Sequence, residues 1–149
     1  MSEVVTSIDI KASPETVWAI AMDPARLDDW VTIHRGLGDH DGGKARRGFE
    51  MVQTLCLRGV NFHVKWELDT CSEPHHAEWK GRGPARSHAE TEYRLTPTDD
   101  GGTRFDYRNE FTAPLGPLGR VASRAVVGGL PRREADASLR KLKKLAERG

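Results

Sequence analysis

Apolar residues recur along this chain at two periods, and the switches between them mark out its elements. Ile8 and Ile10 alternate with Asp9 and Lys11, the period-two pattern of a half-buried strand ending near Ala12. Ser13-Pro14-Glu15 then reads as a helix start, with a side-chain N-cap, a proline at the first helical position and an acid in the first turn. Val17, Trp18, Ile20 and Ala21 give that short helix an apolar face. Asp23-Pro24 repeats the start signal ahead of Leu27, Trp30 and Val31 at helical spacing, which predicts a second short helix. The stretch from Gly36 to Gly43 is rich in glycine and aspartate and reads as a loop.

From about Arg47 to Ala113 the period is two. Phe49, Met51, Gln53, Leu55 and Leu57 share one face of a strand, and Arg58-Gly59 is a tight turn. Val60, Phe62, Val64, Trp66 and Leu68 then face one way, while Asn61, His63, Lys65, Glu67 and Asp69 face the other. Ala77, Trp79 and Gly81 follow, then Ala89, Thr91, Tyr93 and Leu95. Beyond a hairpin loop at Thr98-Asp99-Asp100-Gly101-Gly102, the last inward face is Phe105, Tyr107, Asn109 and Phe111. Short connections between consecutive strands predict an antiparallel meander of six to seven strands. The tail returns to helical spacing but is interrupted at Gly128-Gly129-Leu130-Pro131, which is either a hinge that opens a cavity or a static kink. Past Pro131, the residues Ala135, Leu139, Leu142, Leu145 and Ala146 cover an arc of roughly 120° on a helical wheel.

Composition narrows the classes of function. With 149 residues, 37% hydrophobic and 30% charged, the chain has the make-up of one globular domain spanning 1–149. No apolar run is long enough to cross a membrane, and Met1-Ser2-Glu3-Val4-Val5 does not resemble a secretory signal, so a cytoplasmic protein without stable membrane insertion is expected. The net charge of +1 gives no global pull toward nucleic acid. Nine Lys/Arg among the last thirty residues, against Glu134, Asp136 and Glu147, read as a solvated helix face, since no aromatic residue there can stack on bases. No phosphate-cradling loop, dinucleotide fingerprint or zinc-protease motif occurs, and no cofactor is expected. Cys71, His75 and His76 invite a zinc reading, but no second half of such a site follows; Glu73-Pro74 reads as a turn and no metal is expected. Register separates Cys56 from Cys71, so both are expected to be free thiols.

The sequence Ile8-Asp9-Ile10-Lys11-Ala12-Ser13-Pro14-Glu15-Thr16-Val17-Trp18, followed by Asp23 and Trp30, resembles the opening strand and helix pair of START-like polyketide cyclase/dehydrase proteins of the SRPBCC superfamily. Gly119-Arg120, Ser138-Leu139 and Leu142-Lys143 fit the corresponding tail. This resemblance implies an α+β helix-grip fold, in which a bent antiparallel sheet wraps a long C-terminal helix around a deep apolar cavity, with two short helices after the first strand.

The inward sheet face is apolar but punctuated by polar groups, the mixture that ligand pockets show. The expected function is therefore binding of a small hydrophobic ligand that is lipid-like, aromatic or polyketide-like. Its walls would be Trp18, Trp30, Phe49, Met51, Phe62, Trp66, Trp79 and Phe105, with Gln53, Tyr93, Tyr107 and Asn109 bonding its polar end. The alternative is a polyketide aromatase/cyclase or dehydrase with Tyr93 and Tyr107 as donors. Against it, Arg94, Arg108, His63 and His88 all read as outward, leaving the interior short of a general base. A protein-interaction or chaperone-cofactor domain is the third reading, opposed by the dense charge on the outer face. The partner expected is a small apolar molecule, with the chain a monomer or homodimer.

Overall fold

The computed structural model describes residues 2–112 and 129–148. Its elements run β1 (Ser2–Ile10), α1 (Pro14–Ala21), a 3-10 turn (Pro24–Arg26), α2 (Leu27–Trp30), β2 (His34–His40), β3 (Glu50–Leu57), β4 (Val60–Ser72), β5 (His76–Arg82), β6 (His88–Pro97), β7 (Thr103–Thr112) and α3 (Arg132–Arg148). The helix starts form as their sequences require: Ser13 Oγ accepts from the Thr16 N–H at 3.2 Å, and Asp23 Oδ1 accepts from the Ala25 N–H at 3.0 Å.

The strands form one antiparallel seven-stranded sheet in the order β1-β7-β6-β5-β4-β3-β2. Only the β1–β7 contact departs from a simple meander, bringing the first strand beside the last. The β3–β4 hairpin turns through Arg58 and Gly59, both at positive φ (50° and 80°), as a two-residue turn demands. That turn fixes the register, setting Cys56 opposite Asn61 and Leu57 opposite Val60. Both cysteines are free.

The stretch expected to be a loop from Gly36 onward is largely strand β2. It is an edge strand with two register shifts against β3, one between His34 and Gly36 and one between Leu37 and His40. An edge strand needs pairing on one side only, and its bulges erase the period-two pattern. Glycine also has a packing role there: a Cβ on Gly38 would lie 3.3 Å from Val52 Cβ.

α3 buries Ala135, Ser138, Leu139, Leu142 and Ala146, the stripe expected from its spacing with Ser138 added and Leu145 half-buried. Hydrogen bonds orient it at both ends. Thr32 N–H donates to Ser138 Oγ at 3.0 Å and Thr6 Oγ1 to Asp136 at 2.6 Å, while Lys143 Nζ donates to the Asp9 carbonyl and Lys11 N–H to Glu147, each at 2.8 Å. The sheet and this helix make the α+β helix-grip fold. Gly129 has φ 66°, and a Cβ there would lie 2.9 Å from Ser2 Cβ. The helical reading of the chain before it, and Gly128 itself, lie outside the described residues. No helix among the described residues is long and apolar enough to cross a membrane.

Candidate functional site

Cross-strand register builds the inner face in rows. Met51, Trp66, Gly81, Ala89 and Phe111 lie in one row across β3, β4, β5, β6 and β7. Leu68, Trp79, Thr91 and Asn109 form the next, and Cys71, Ala77, Tyr93 and Tyr107 the third. Large residues flank small ones in the first row, so the Trp66 indole lies over Gly81, where an added Cβ would come within 2.7 Å of it.

Between this face, α2 and α3 lies a cavity of about 110 Å³. Nine of the twelve expected site residues line it: Trp30, Met51, Gln53, Phe62, Trp66, Trp79, Tyr93, Tyr107 and Asn109. Trp18, Phe49 and Phe105 do not. Phe49 and Phe105 are at most 1% exposed and pack as core, Phe49 edge-on to Trp79 and Phe105 against Trp30 and Tyr93. Trp18 is likewise buried in the core. Met22, Leu27, Ile33, Leu55 and Ser138 complete much of the remaining wall. Their apolar character was visible in the sequence, but their depth follows from how α2 and α3 cross the sheet.

The polar groups of the site are largely turned toward one another. The Trp66 indole N–H donates to Gln53 Oε1 at 2.9 Å, and indole can only donate. Gln53 therefore presents its amide nitrogen to His34 Nδ1, also at 2.9 Å, which makes that nitrogen an acceptor. His34 is thus neutral with its proton on Nε2. Burial, the largest influence, pushes its pKa below the usual histidine value. On the other side of the cavity, Asn109 Nδ2 donates to Thr91 Oγ1 at 2.9 Å beside Tyr107, the row partner of Tyr93. Burial raises the Tyr93 and Tyr107 hydroxyls well above the ordinary tyrosine range, so each remains an O–H donor and neither serves as a base. The two rings stack at 5.9 Å, and Trp30 stands edge-on to Tyr93 at 6.0 Å. Trp30 is 1% exposed, and its indole N–H has no hydrogen-bond partner among the described residues.

Two expectations about histidines change. His34, which no periodicity singles out, is buried and adjoins the site through Gln53, so the interior holds a neutral imidazole at one remove from the cavity. His88, expected to face outward, is solvent-exposed but also lines the cavity beside Gly83, Ser87 and Ala89, because it opens β6 where the strand leaves the Pro84–Arg86 turn. His63 does lie outside, bonded to Thr54 Oγ1 at 3.0 Å. Arg94 is exposed, and Arg108 pairs with Glu3 at 2.8 Å on the outer face. The Cys71-His75-His76 run divides: Cys71 pairs with Ala77 on the inner face, His75 stays in the turn, and His76 opens β5.

Comparisons with known proteins agree with this architecture. The chain is similar to the uncharacterised protein Rv1546 of Mycobacterium tuberculosis, 28% identical over 130 residues, covering 86% of this chain and 90% of the relative. It is also similar to the toxin Rv0910 of the same species, 24% identical over 127 residues, covering 85% and 88%. Among solved structures, DR_A0006 from Deinococcus radiodurans superposes with a TM-score of 0.72 over 100% of this chain and 99% of that one, at 16% identity, a likeness of fold alone. The family model for "Polyketide cyclase / dehydrase and lipid transport" matches residues 1–147, and the chain accordingly belongs to that family.

Proposed function

We propose that the protein binds one small, uncharged, mostly apolar molecule in the cavity beneath α2 and α3. The observation that carries this reading is the apolar cavity itself, lined by Trp30, whose buried N–H has no partner among the described residues. A buried unpaired donor costs about 1–3 kcal/mol, and a ligand oxygen that accepts from it removes that cost. Trp66, Gln53, Thr91 and Asn109 already hold one another, so they shape the wall while Trp30 and the Tyr93 and Tyr107 hydroxyls supply the contacts. The described lining offers no Lys, Arg, Asp or Glu, which favours a neutral ligand over a carboxylate.

Volume sets the size. A cavity of ~150 Å³ takes up benzene, so the 110 Å³ here suits about six non-hydrogen atoms at most, a single small ring or a short branched chain. Burying ~200 Å² of such a ring at about 25 cal/mol per Å² gives roughly 5 kcal/mol before association costs, an affinity near the millimolar end. The same volume disfavours folding of a long poly-β-ketone inside it, which places the cyclase reading second.

The test is calorimetric titration with phenol, benzyl alcohol, benzoate and 1-naphthol. Phenol and benzyl alcohol should bind saturably, benzoate at least about tenfold more weakly, and Val64→Phe, which fills the cavity, should abolish the signal. No saturable binding of either one-ring alcohol, or binding unchanged in Val64→Phe, refutes the proposal.

A further inference from the structure

The outer face of the sheet carries a cluster that the cavity does not use. His76 and Glu78 stand two residues apart on β5 and so share a face, and Glu92 on β6 is the direct cross-strand partner of Glu78. His76 Nε2 lies 2.7 Å from Glu92 Oε2 and 3.4 Å from Glu78 Oε1. One donor atom from each residue falls within 4.8 Å of the other two. Like charges directly opposite across a ladder repel, so this pair requires a proton or a cation beside it. Arg94, opposite His76, supplies one charge: its Nη2 lies 3.0 Å from Glu92 Oε2. Glu78 has instead a long contact of 3.5 Å from Thr70 Oγ1 and the edge of the His76 ring.

We propose that His76, Glu78 and Glu92 form a site for a divalent transition-metal ion of the Zn²⁺ type. An imidazole nitrogen with two carboxylate oxygens is a ligand set that such ions take. With metal–ligand bonds of about 2.1 Å, tetrahedral geometry puts neighbouring donor atoms ~3.4 Å apart. His76 Nε2 and Glu78 Oε1 already stand at 3.4 Å. Only Glu92 Oε2 has to draw back, as the metal takes the place of the hydrogen between it and His76 Nε2 and the neutral ring carries its proton on Nδ1. All three residues sit on paired strands, so the backbone is ordered before the ion arrives. The His76 and Glu92 side chains are only 21% and 17% exposed, while Glu78 is 39% exposed. The solvent-facing side leaves the fourth position for water. The site does not rest on the cavity reading, and neither Cys71 nor His75 takes part: Cys71 faces the opposite side of the sheet, and His75 Nδ1 lies 3.3 Å from the Leu95 carbonyl oxygen.

The experiment uses untagged protein stripped with a chelator, titrated with Zn²⁺ by calorimetry and with Co²⁺ by visible ligand-field absorption. Wild type should bind one ion saturably at micromolar concentration, give the intense spectrum of a four-coordinate Co²⁺ site, and melt at a higher temperature with Zn²⁺ present. His76→Ala, Glu78→Gln and Glu92→Gln should each weaken binding at least about tenfold, whereas His75→Ala should leave it intact. If His76→Ala or Glu92→Gln fails to fold, Glu78→Gln, at the most exposed ligand, carries the test. The proposal is overturned if wild type shows no saturable binding, or if Glu78→Gln binds as wild type does. It is equally overturned if His75→Ala loses as much as His76→Ala, which would mark surface histidine binding.

Discussion

Gly81 lies against the Trp66 indole on the inner face, and Gly81→Ala tests how the Trp66 wall is held. A methyl there would lie 2.7 Å from both Cε3 and Cζ3 of Trp66 and 2.8 Å from Val64 Cγ1, against an ordinary contact of 3.4–4 Å. The indole must therefore retreat by about 0.7 Å or more, or β5 must bow outward. Trp66 is 7% exposed and is anchored by its N–H to Gln53, so the open direction is the cavity itself. Overpacking of this kind costs about 1–3 kcal/mol. Loss of the Trp66–Gln53 bond leaves a buried donor unpaired and adds about 1–3 kcal/mol. Replacing glycine in a strand returns roughly 0.5–1 kcal/mol through the unfolded chain. The net loss expected is ~2–4 kcal/mol, read by urea unfolding, with a fall of about 5–15 °C in Tm. In a Trp66→Phe background the smaller ring relieves the overlap, so Gly81→Ala should cost at least about 1 kcal/mol less there. A variant within ~0.5 kcal/mol of wild type, or an equal cost in both backgrounds, would show that Trp66 does not hold this space.

Gln53→Leu should lose ~2–5 kcal/mol by urea unfolding, because it strands both the Trp66 N–H and His34 Nδ1 in a buried site; a loss below ~1 kcal/mol would mean that water replaces the amide. His34, held neutral below its usual pKa by burial, binds a proton more readily when unfolded, so folding stability should fall as the pH drops through 6.5 and level off once the folded pKa is passed. Subtracting the pH–stability curve of His34→Gln from that of wild type isolates this slope, and identical curves between pH 7 and 5 would refute the assignment of a neutral, bonded imidazole.

Much of the fold was local and so legible. Ser13 and Asp23 start their helices through bonds from residues two or three positions away, Pro14 by its fixed φ, and Arg58-Gly59 fixes the β3–β4 register because a two-residue turn admits only one. Periodicity also told which face each of Met51, Gln53, Trp66, Trp79, Tyr93 and Tyr107 occupies. Strand β2 was not legible, since an edge strand with two bulges carries no regular alternation.

The site depended on more than facing. Phe49 and Phe105 point inward as surely as Trp66 does, yet they fill the core while Trp66 borders the cavity. Period gives direction but not depth, and depth is set by where α2 and α3 cross the sheet. The pairing of Gln53 with Trp66 and His34, and the meeting of His76 and Glu78 with Glu92, join residues from different strands. Sequence by itself determined the elements, the caps and the inward faces, because those are fixed by neighbours along the chain. Only the tertiary structure decided which inward groups are satisfied by one another and which, like the Trp30 N–H, find no partner among the described residues, because partners across strands are chosen by register and packing.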